Sequence, residues 1–267
     1  MIINPDWRIL TIGDGDLSFS AALWQHHKPH TLCATVLDSR TTLLEKYSDN
    51  QLDFLEKNNI TVLTDFDVTN SNTWQGISYG QFDLVIFQFP LVPAFNNAAL
   101  FFNECEHISV NTLNRILLRH FLLNCFKHFL DPAGQRLALI TSKDVKPYSH
   151  WNIETALVEQ TELNYLGKTP FDITQFDGYK VRNVDRDKHV KETQGWSYIF
   201  SDSDAHLVQQ HLIAPLNCSN GCCWCQITHF QSEIDKTNHL ASKRHREMAK
   251  FSQQWQWALA HHTSFQN

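Results

Sequence analysis

The chain has 267 residues, 42% hydrophobic and 19% charged, an ordinary globular composition that excludes a mainly disordered, collagen-like or coiled-coil chain. Lys and Arg number 22 against 28 Asp and Glu, a net charge of −6, which excludes a uniformly basic nucleic-acid binder but not a local basic patch. Apolar runs fall short of the roughly 18–20 residues that span a bilayer and residues 1–10 lack a signal-peptide pattern, so a cytoplasmic, non-membrane protein, taken as a monomer, is expected.

Residues 7–12 form an apolar run that stops at Gly13 and predicts a strand. A helix is expected over 17–26, a second strand over 31–37, a helix over 42–57 and a short third strand over 60–63. Residues 82–87 predict a strongly apolar fourth strand. Over 114–130, Leu117, Leu118, Phe121, Leu122, Cys125, Phe126 and Phe129 recur at helical spacing, opposite Arg115, Arg119, His120 and Lys127. Pro132 and Gly134 make a turn, 136–141 a fifth strand and 196–200 a last one. This alternation predicts a parallel, doubly wound α/β sheet. Beyond about residue 215 the character changes to Cys and His, then Lys and Arg. The expected division is a main domain over 1–205, a small module over 215–250 and a tail over 251–267.

The first strand runs into Gly13-Asp14-Gly15-Asp16-Leu17-Ser18. A Gly-x-Gly turn there lets backbone approach a ligand closely, although a tight turn without a ligand has the same signature. Asp38, 23 residues after Gly15, ends the second strand and can accept from both ribose hydroxyls. Ser39 follows it. Asp67-Val68 follows the third strand; the carboxylate can accept from an adenine amino group while Val68 packs beside the base. In an open α/β sheet these strand ends share one crevice. The Gly-rich loop itself has no Lys or Arg, so Coulomb sign favours a sulfonium cofactor, S-adenosylmethionine, over NAD or ATP. Asp14 and Asp16 also suit a solvated turn or a helix cap. The fourth strand exits through Gln88-Phe89-Pro90, an amide and a proline placed as in many methyltransferases acting on nitrogen, although an ordinary strand-to-loop exit has the same signature.

Here the residues carry a resemblance. Ile12-Gly-Asp-Gly-Asp-Leu-Ser-Phe-Ser20 resembles the opening motif of the uridine-N3 ribosomal RNA methyltransferase-like family. Further pieces follow in the family's order: Leu37-Asp38-Ser39, Asp67-Val68-Thr69, the run from Phe82 to Pro90, and Thr141-Ser-Lys143. Then come Pro147-Tyr148-Ser-His-Trp151-Asn152-Ile153 and Gly178-Tyr179-Lys-Val-Arg182. The resemblance spans residues 8–200 and implies a Rossmann-like, S-adenosylmethionine-dependent enzyme acting on ribosomal RNA. One motif departs: Gln88-Phe89-Pro90-Leu91 stands where the family has Asn-Phe-Pro-His. A non-catalytic RNA-binding protein and a methyltransferase acting on transfer RNA are the other readings.

Under this reading Gly13, Asp14, Gly15, Asp16, Ser18, Asp38, Ser39, Asp67, Val68 and Gln88 hold the cofactor. Gln88 aligns the base and Lys143 stabilises charge on a uracil oxygen, unless it is a surface lysine. Pro90, Tyr148, Trp151, Asn152, Tyr179 and Arg182 contact substrate, Tyr148 and Trp151 by stacking, unless those two pack in the core. Lys180, Arg182, Arg186, Lys188, His189 and Lys191 make a basic segment for phosphate, or a solvated loop, diluted by Asp177, Asp185 and Asp187.

Of the seven cysteines, Cys33, Cys105 and Cys125 read as small buried hydrophobes. Cys222-x2-Cys225 is followed after 13 residues by His239 and after 5 more by His245, the spacing of a structural zinc site. Cys218 and Cys223 are possible competing ligands. The segment from His239 to Arg246 resembles the matrin-type and small-nuclear-ribonucleoprotein-type C2H2 finger, which implies RNA contact, with protein contact as the alternative. Residues 236–250 carry five cations and one anion, a local charge of +4.

Overall fold

The structure, a computed structural model, describes residues 2–93, 106, 108–183, 186–189, 195–203 and 206–262. Strand β1 (Arg8–Ile12) leads into helix α1 (Ser18–His27), then β2 (Thr31–Thr35). Two short helices follow, α2 (Arg40–Lys46) and α3 (Leu52–Lys57), then β3 (Thr61–Leu63) and β4 (Leu84–Gln88). Helix α4 (Val110–Asn124) ends in a wide turn before β5 (Leu137–Lys143). Helix α5 (Ile153–Ala156) precedes β6 (Asn164–Phe171), the pair β7 (Arg182–Asn183) and β8 (Arg186–His189), and β9 (Gly195–Ser201). Helices α6 (Glu233–Leu240) and α7 (Lys243–His261) are the last elements of the described residues.

Seven strands form one sheet in the order β3-β2-β1-β4-β5-β9-β6. The first five are parallel, and every residue of β4 is buried, as expected of a strand covered on both faces. Beyond β5 the expected parallel pattern is corrected: β9 runs antiparallel to both β5 and β6. The sequence gives little sign of β6 because Gly167 and Pro170 interrupt it. At the sheet's edge both are tolerated. A Cβ on Gly167 would lie 2.5 Å from the Ile213 carbonyl oxygen, so the chain that crosses there requires glycine. The single helix expected over 42–57 is two, because Ser48-Asp49-Asn50 turns the chain and the Asn50 side chain accepts from Leu52 N.

Helix α1, with Phe19 and Leu23, packs on one face of the sheet, and α4, with Leu118, Phe121 and Leu122, on the other. Helix α7 lies on α4: Trp255, Ala258 and Leu259 bury against Ile116 and Ala156, and the Trp255 indole donates to the Ala156 carbonyl at 3.0 Å. The Gln254 amide oxygen accepts from Ser109 Oγ at 2.7 Å, at the first turn of α4. No described helix is long and apolar enough to cross a membrane.

Candidate active site and metal centre

The loop from β1 to α1 turns on Gly13 and Gly15, both with positive φ (62° and 42°). A Cβ on Gly13 would come within 2.9 Å of the Phe87 ring, so only glycine fits between β1 and β4 there. The Asp14 carboxylate accepts from the backbone N–H of Phe19 (3.2 Å) and Ser20 (2.6 Å), and so caps α1. Burial pushes its carboxyl up to about 8. Asp16 accepts from Ser18 N at 3.0 Å with one oxygen and from Arg182 Nε at 2.7 Å with the other.

Arg182 belongs to the segment Gly178-Tyr179-Lys180-Val181-Arg182, which straps across this loop. Lys180 N donates to Ser18 Oγ at 3.0 Å, and the Tyr179 ring packs on Phe19 at 5.2 Å. The Arg182 guanidinium also reaches Asp49 at 2.6 Å, and the Lys180 ammonium pairs with the same carboxylate. On the opposite wall Lys46 meets Asp38 at 3.1 Å. The acidic crevice expected from the sequence is therefore corrected. The loop has no cation of its own, but Arg182 and Lys46 come from elsewhere in the fold to face two of the crevice's carboxylates, Asp16 and Asp38. Charge alone no longer selects a sulfonium.

Two cavities meet here. A chamber of about 100 Å³ is bounded by the Gly13–Asp16 loop, Asp38, Lys46, Tyr47 and Arg182. A cleft of about 610 Å³ runs past Asp67, Val68, Pro90, Leu117, His120 and His262. Gly13, Leu37, Gln88 and Phe89 line both. Small-molecule sites usually enclose roughly 300–1,000 Å³, so the cleft is large enough alone and the chamber is not. Gln88 ends β4 at this junction. It is 8% exposed, and neither its amide nitrogen nor its oxygen has a hydrogen-bond partner. An unsatisfied buried amide is costly and calls for a partner, here one entering from the cavities. Phe89 beside it holds a left-handed backbone (φ 45°) fixed by its N–H to the Thr141 carbonyl at 2.9 Å. Such strain clusters at functional sites.

The remaining predicted residues divide. Asp67 accepts from Thr69 N (2.8 Å) and Thr69 Oγ1 (2.7 Å) beside buried Val68. Ser39 caps α2 by accepting from Thr42 N at 3.2 Å. Lys143 lines neither cavity; its ammonium lies 5.5 Å from the centre of the Tyr148 ring, and burial lowers its pKa. Trp151 is 1% exposed and packs on Tyr148 at 5.0 Å, so it is core rather than a stacking platform. Asn152, also buried, donates to Thr155 Oγ1 at 2.7 Å. Arg186, Lys188 and His189 lie on β8, while Cys105, Asp185 and Lys191 lie outside the described residues. Sequence reasoning missed Lys46, Tyr47 and the two cleft histidines. His120 was legible only as part of a polar helix face, and His262 carried no signal.

Toward the C-terminus Cys222, Cys225, His239 and His245 bring their donor atoms within 4.8 Å of one another. His245 Nδ1 lies 3.2 Å from His239 Nε2, 3.6 Å from Cys222 Sγ and 4.0 Å from Cys225 Sγ. Tetrahedral zinc with bonds of about 2.0 Å to nitrogen and 2.3 Å to sulfur needs edges of about 3.3–3.8 Å; the His239–His245 and Cys222–His245 edges are close to that range, and the two-thiolate, two-imidazole donor set is of the right kind. The thiols sit on a tight turn where Cys222 and Ile227 exchange backbone hydrogen bonds. His239 lies in the last turn of α6 and His245 in the first turn of α7; the break at Ala241-Ser242 lets both rings reach the thiols. Cys218 and Cys223 stay outside this cluster, and burial pushes the Cys218 thiol up to about 11.

Known proteins match this chain over parts of its length. The chain is 26% identical over 185 residues to heavy metal-associated isoprenylated plant protein 41 of Arabidopsis thaliana, covering 68% of this chain and 34% of that protein. It thus spans about a third of that curated relative's length. Among solved structures, the M1A22 tRNA methyltransferase TrmK of B. subtilis superposes with a TM-score of 0.46 at 11% identity, covering 96% of this chain and 94% of that one. A protein of the NADB-Rossmann superfamily from Streptococcus agalactiae gives 0.44 at 10% identity, covering 95% and 89%. Residues 10–183, from β1 to the Arg182 strap and with the Gln88 junction between them, match the family described as rRNA (uridine-N3-)-methyltransferase BTM5-like. That match takes in well over half of the chain, and the protein belongs to this BMT5-like methyltransferase family.

Proposed function

We propose that the protein transfers a methyl group from S-adenosylmethionine to N3 of a uridine in ribosomal RNA. The observation that carries this reading is Gln88: a buried amide without partners where two cavities join, at the strand end that the family match covers. Its N–H donor suits a uracil carbonyl oxygen beside N3, which leaves N3 itself free to face the methyl group. The orphaned amide and the Gly13 turn fit a nucleoside cofactor beside a base. The Gly13–Asp16 backbone and Asp38 would hold the cofactor's amino acid and ribose ends, with Lys46 giving way at Asp38. Asp67 and Val68 would flank the adenine. When bound, the cofactor supplies an electrophilic methyl group. The chain's own part is alignment: Gln88 and Pro90 hold the base so that its ring nitrogen faces that methyl, and alignment alone accounts for much of such an acceleration.

The C-terminal module belongs to the same reading. Cys222, Cys225, His239 and His245 would hold a structural zinc ion, and Lys243, Arg244, Arg246 and Lys250 would contact phosphate. The first test is calorimetric titration with S-adenosylmethionine. Micromolar binding is expected, falling at least ten-fold in Asp38→Ala, with methyl incorporation into ribosomal RNA by the wild-type protein. Failure of the zinc-loaded protein to bind the cofactor would leave an RNA-binding protein that keeps the fold.

A further inference from the structure

The strand that ends in Gln88 turns at the next residue, and local preferences oppose that turn. Phe89 has a left-handed backbone, φ 45°, which a bulky side chain rarely adopts, and a residue before proline prefers extended backbone. Such a conformation persists only where its surroundings impose it. Two contacts impose it here. The Phe89 N–H donates to the Thr141 carbonyl at 2.9 Å. The Phe89 ring meets the Phe171 ring edge to face, with 5.4 Å between centres at 85°.

The ring contact depends on a gap in the sheet. Phe171, the last residue of β6, pairs with Gly195, the first residue of β9. A Cβ on Gly195 would stand 3.3 Å from Phe89 Cε1 and 3.4 Å from Cζ, tighter than ordinary van der Waals contact. The missing side chain leaves a slot, and the tip of the Phe89 ring fills it. Phe171 is fixed in turn by stacking on Phe176 at 5.8 Å and by the Tyr179 ring of the strap at 6.3 Å. Phe171 lines neither cavity, so its effect on a bound base must pass through Phe89, which lines both.

We propose that Phe89 and Phe171 are positioning residues for methyl transfer: the Phe89 ring, seated in the slot between Gly195 and Phe171, holds the turn that keeps the Gln88 amide where the two cavities meet. This rests on the methyltransferase reading and assigns what aims its central residue. The Gln88 amide has no hydrogen-bond partner within the protein, so only backbone and packing fix its direction. Rate depends steeply on such alignment, and a misplacement of about 1 Å can cost roughly 100-fold. The two antiparallel strands at the end of the sheet thereby act on the exit of a central parallel strand. Neither phenylalanine needs to touch the reacting atoms to do so.

The test uses the full-length, zinc-loaded protein with S-adenosylmethionine and ribosomal RNA transcribed without modification. Phe171→Leu and Gly195→Ala are each expected to lower kcat about five-fold, while the RNA KM and the cofactor Kd change less than two-fold. Phe171→Tyr, which keeps the ring, should stay within about two-fold of wild type. The deciding comparison removes the intermediary. In a Phe89→Leu background, itself slowed, Phe171→Leu should lower kcat less than two-fold further, because its effect passes through the Phe89 ring. Unchanged kcat in Phe171→Leu, losses that multiply in the double variant, or a change confined to KM would overturn the proposal. A second measurement stands apart from turnover. The side-chain amide resonances of Gln88, assigned by their loss in Gln88→Leu, should shift or split in Phe171→Leu and in Gly195→Ala with S-adenosylhomocysteine bound. Unmoved Gln88 resonances in a folded variant that binds S-adenosylhomocysteine sink this assignment alone. No cofactor binding by the wild-type protein sinks the methyltransferase reading with it.

Discussion

Gln88 is a residue whose worth to stability and to function should have opposite signs. Its amide is enclosed with neither atom bonded, a cost of about 1–3 kcal/mol that a partner would remove. Replacing such a group with an apolar one of similar shape removes the cost. Gln88→Leu should therefore raise the unfolding free energy by about 1 kcal/mol, read by urea denaturation, while methyl transfer falls at least ten-fold. A destabilised Gln88→Leu variant would mean that the amide has a partner within the protein. Other single residues show how far sequence alone reaches. Gln88 ends β4, and Asp38 and Asp67 lie in the loops just after β2 and β3, places that strand period and turn residues locate. The roles of Asp14 and Trp151 could not be read in the same way. A carboxylate two positions from another can point to a helix N-terminus or to a ligand, and an aromatic ring can stack outside or pack inside. Only the fold decides, and it gives Asp14 two backbone donors and leaves Trp151 1% exposed.

Among the elements, the strap from Gly178 to Arg182 shapes the site most. It joins a late part of the chain to the first loop through a pair with little solvent: the side chains are 11% exposed at Arg182 and 2% at Asp16. Removing one member of a buried pair leaves the other charge unmatched, typically at about 3–5 kcal/mol. Arg182→Ala should lose stability on that scale in denaturant melts and weaken cofactor binding together. The double variant Asp16→Asn/Arg182→Met should recover most of the stability, since neither charge then remains. Equal losses in the single and double variants would show that the strap is held by Tyr179 packing instead. The strap's sequence was conspicuous, but its basic residues read as an outward phosphate grip. Composition cannot reveal that Asp16, 166 positions earlier, is waiting for Arg182. Strand β6 was invisible for a related reason: glycine and proline usually end strands, and only its place at the sheet edge permits them. Long apolar strands such as β4 and the amphipathic α4 were legible because burial on two faces and on one stripe writes a pattern into the sequence itself.

Across the whole molecule, α7 links the two sites. Its first half packs Met248 against Cys222 and Cys225, and its second half buries Trp255 against Ile116 and Ala156. His245 and His262 are 17 residues apart, which spans about 25 Å at the helical rise. A helix in a protein draws most of its stability from packing, so each half of this 19-residue helix depends on what it packs against. Metal removal should therefore act on one end. With the metal chelated, or in His245→Ala, Cys222, Cys225 and His239 lose their common centre, and α6 with the first turns of α7 should loosen. The docked half should stay, because Trp255 and Gln254 hold it without any metal. RNA affinity is then expected to fall at least ten-fold while S-adenosylmethionine affinity changes less than two-fold. Trp255→Ala should do the reverse in kind: it empties a site in the shared core, costs about 3–5 kcal/mol, and lets His262 leave the cleft. Zinc analysis, melting curves and cofactor titration on the two variants separate these outcomes. Loss of cofactor binding on chelation would mean that the metal module and the sheet domain fold as one unit, with α7 as the part that transmits the failure.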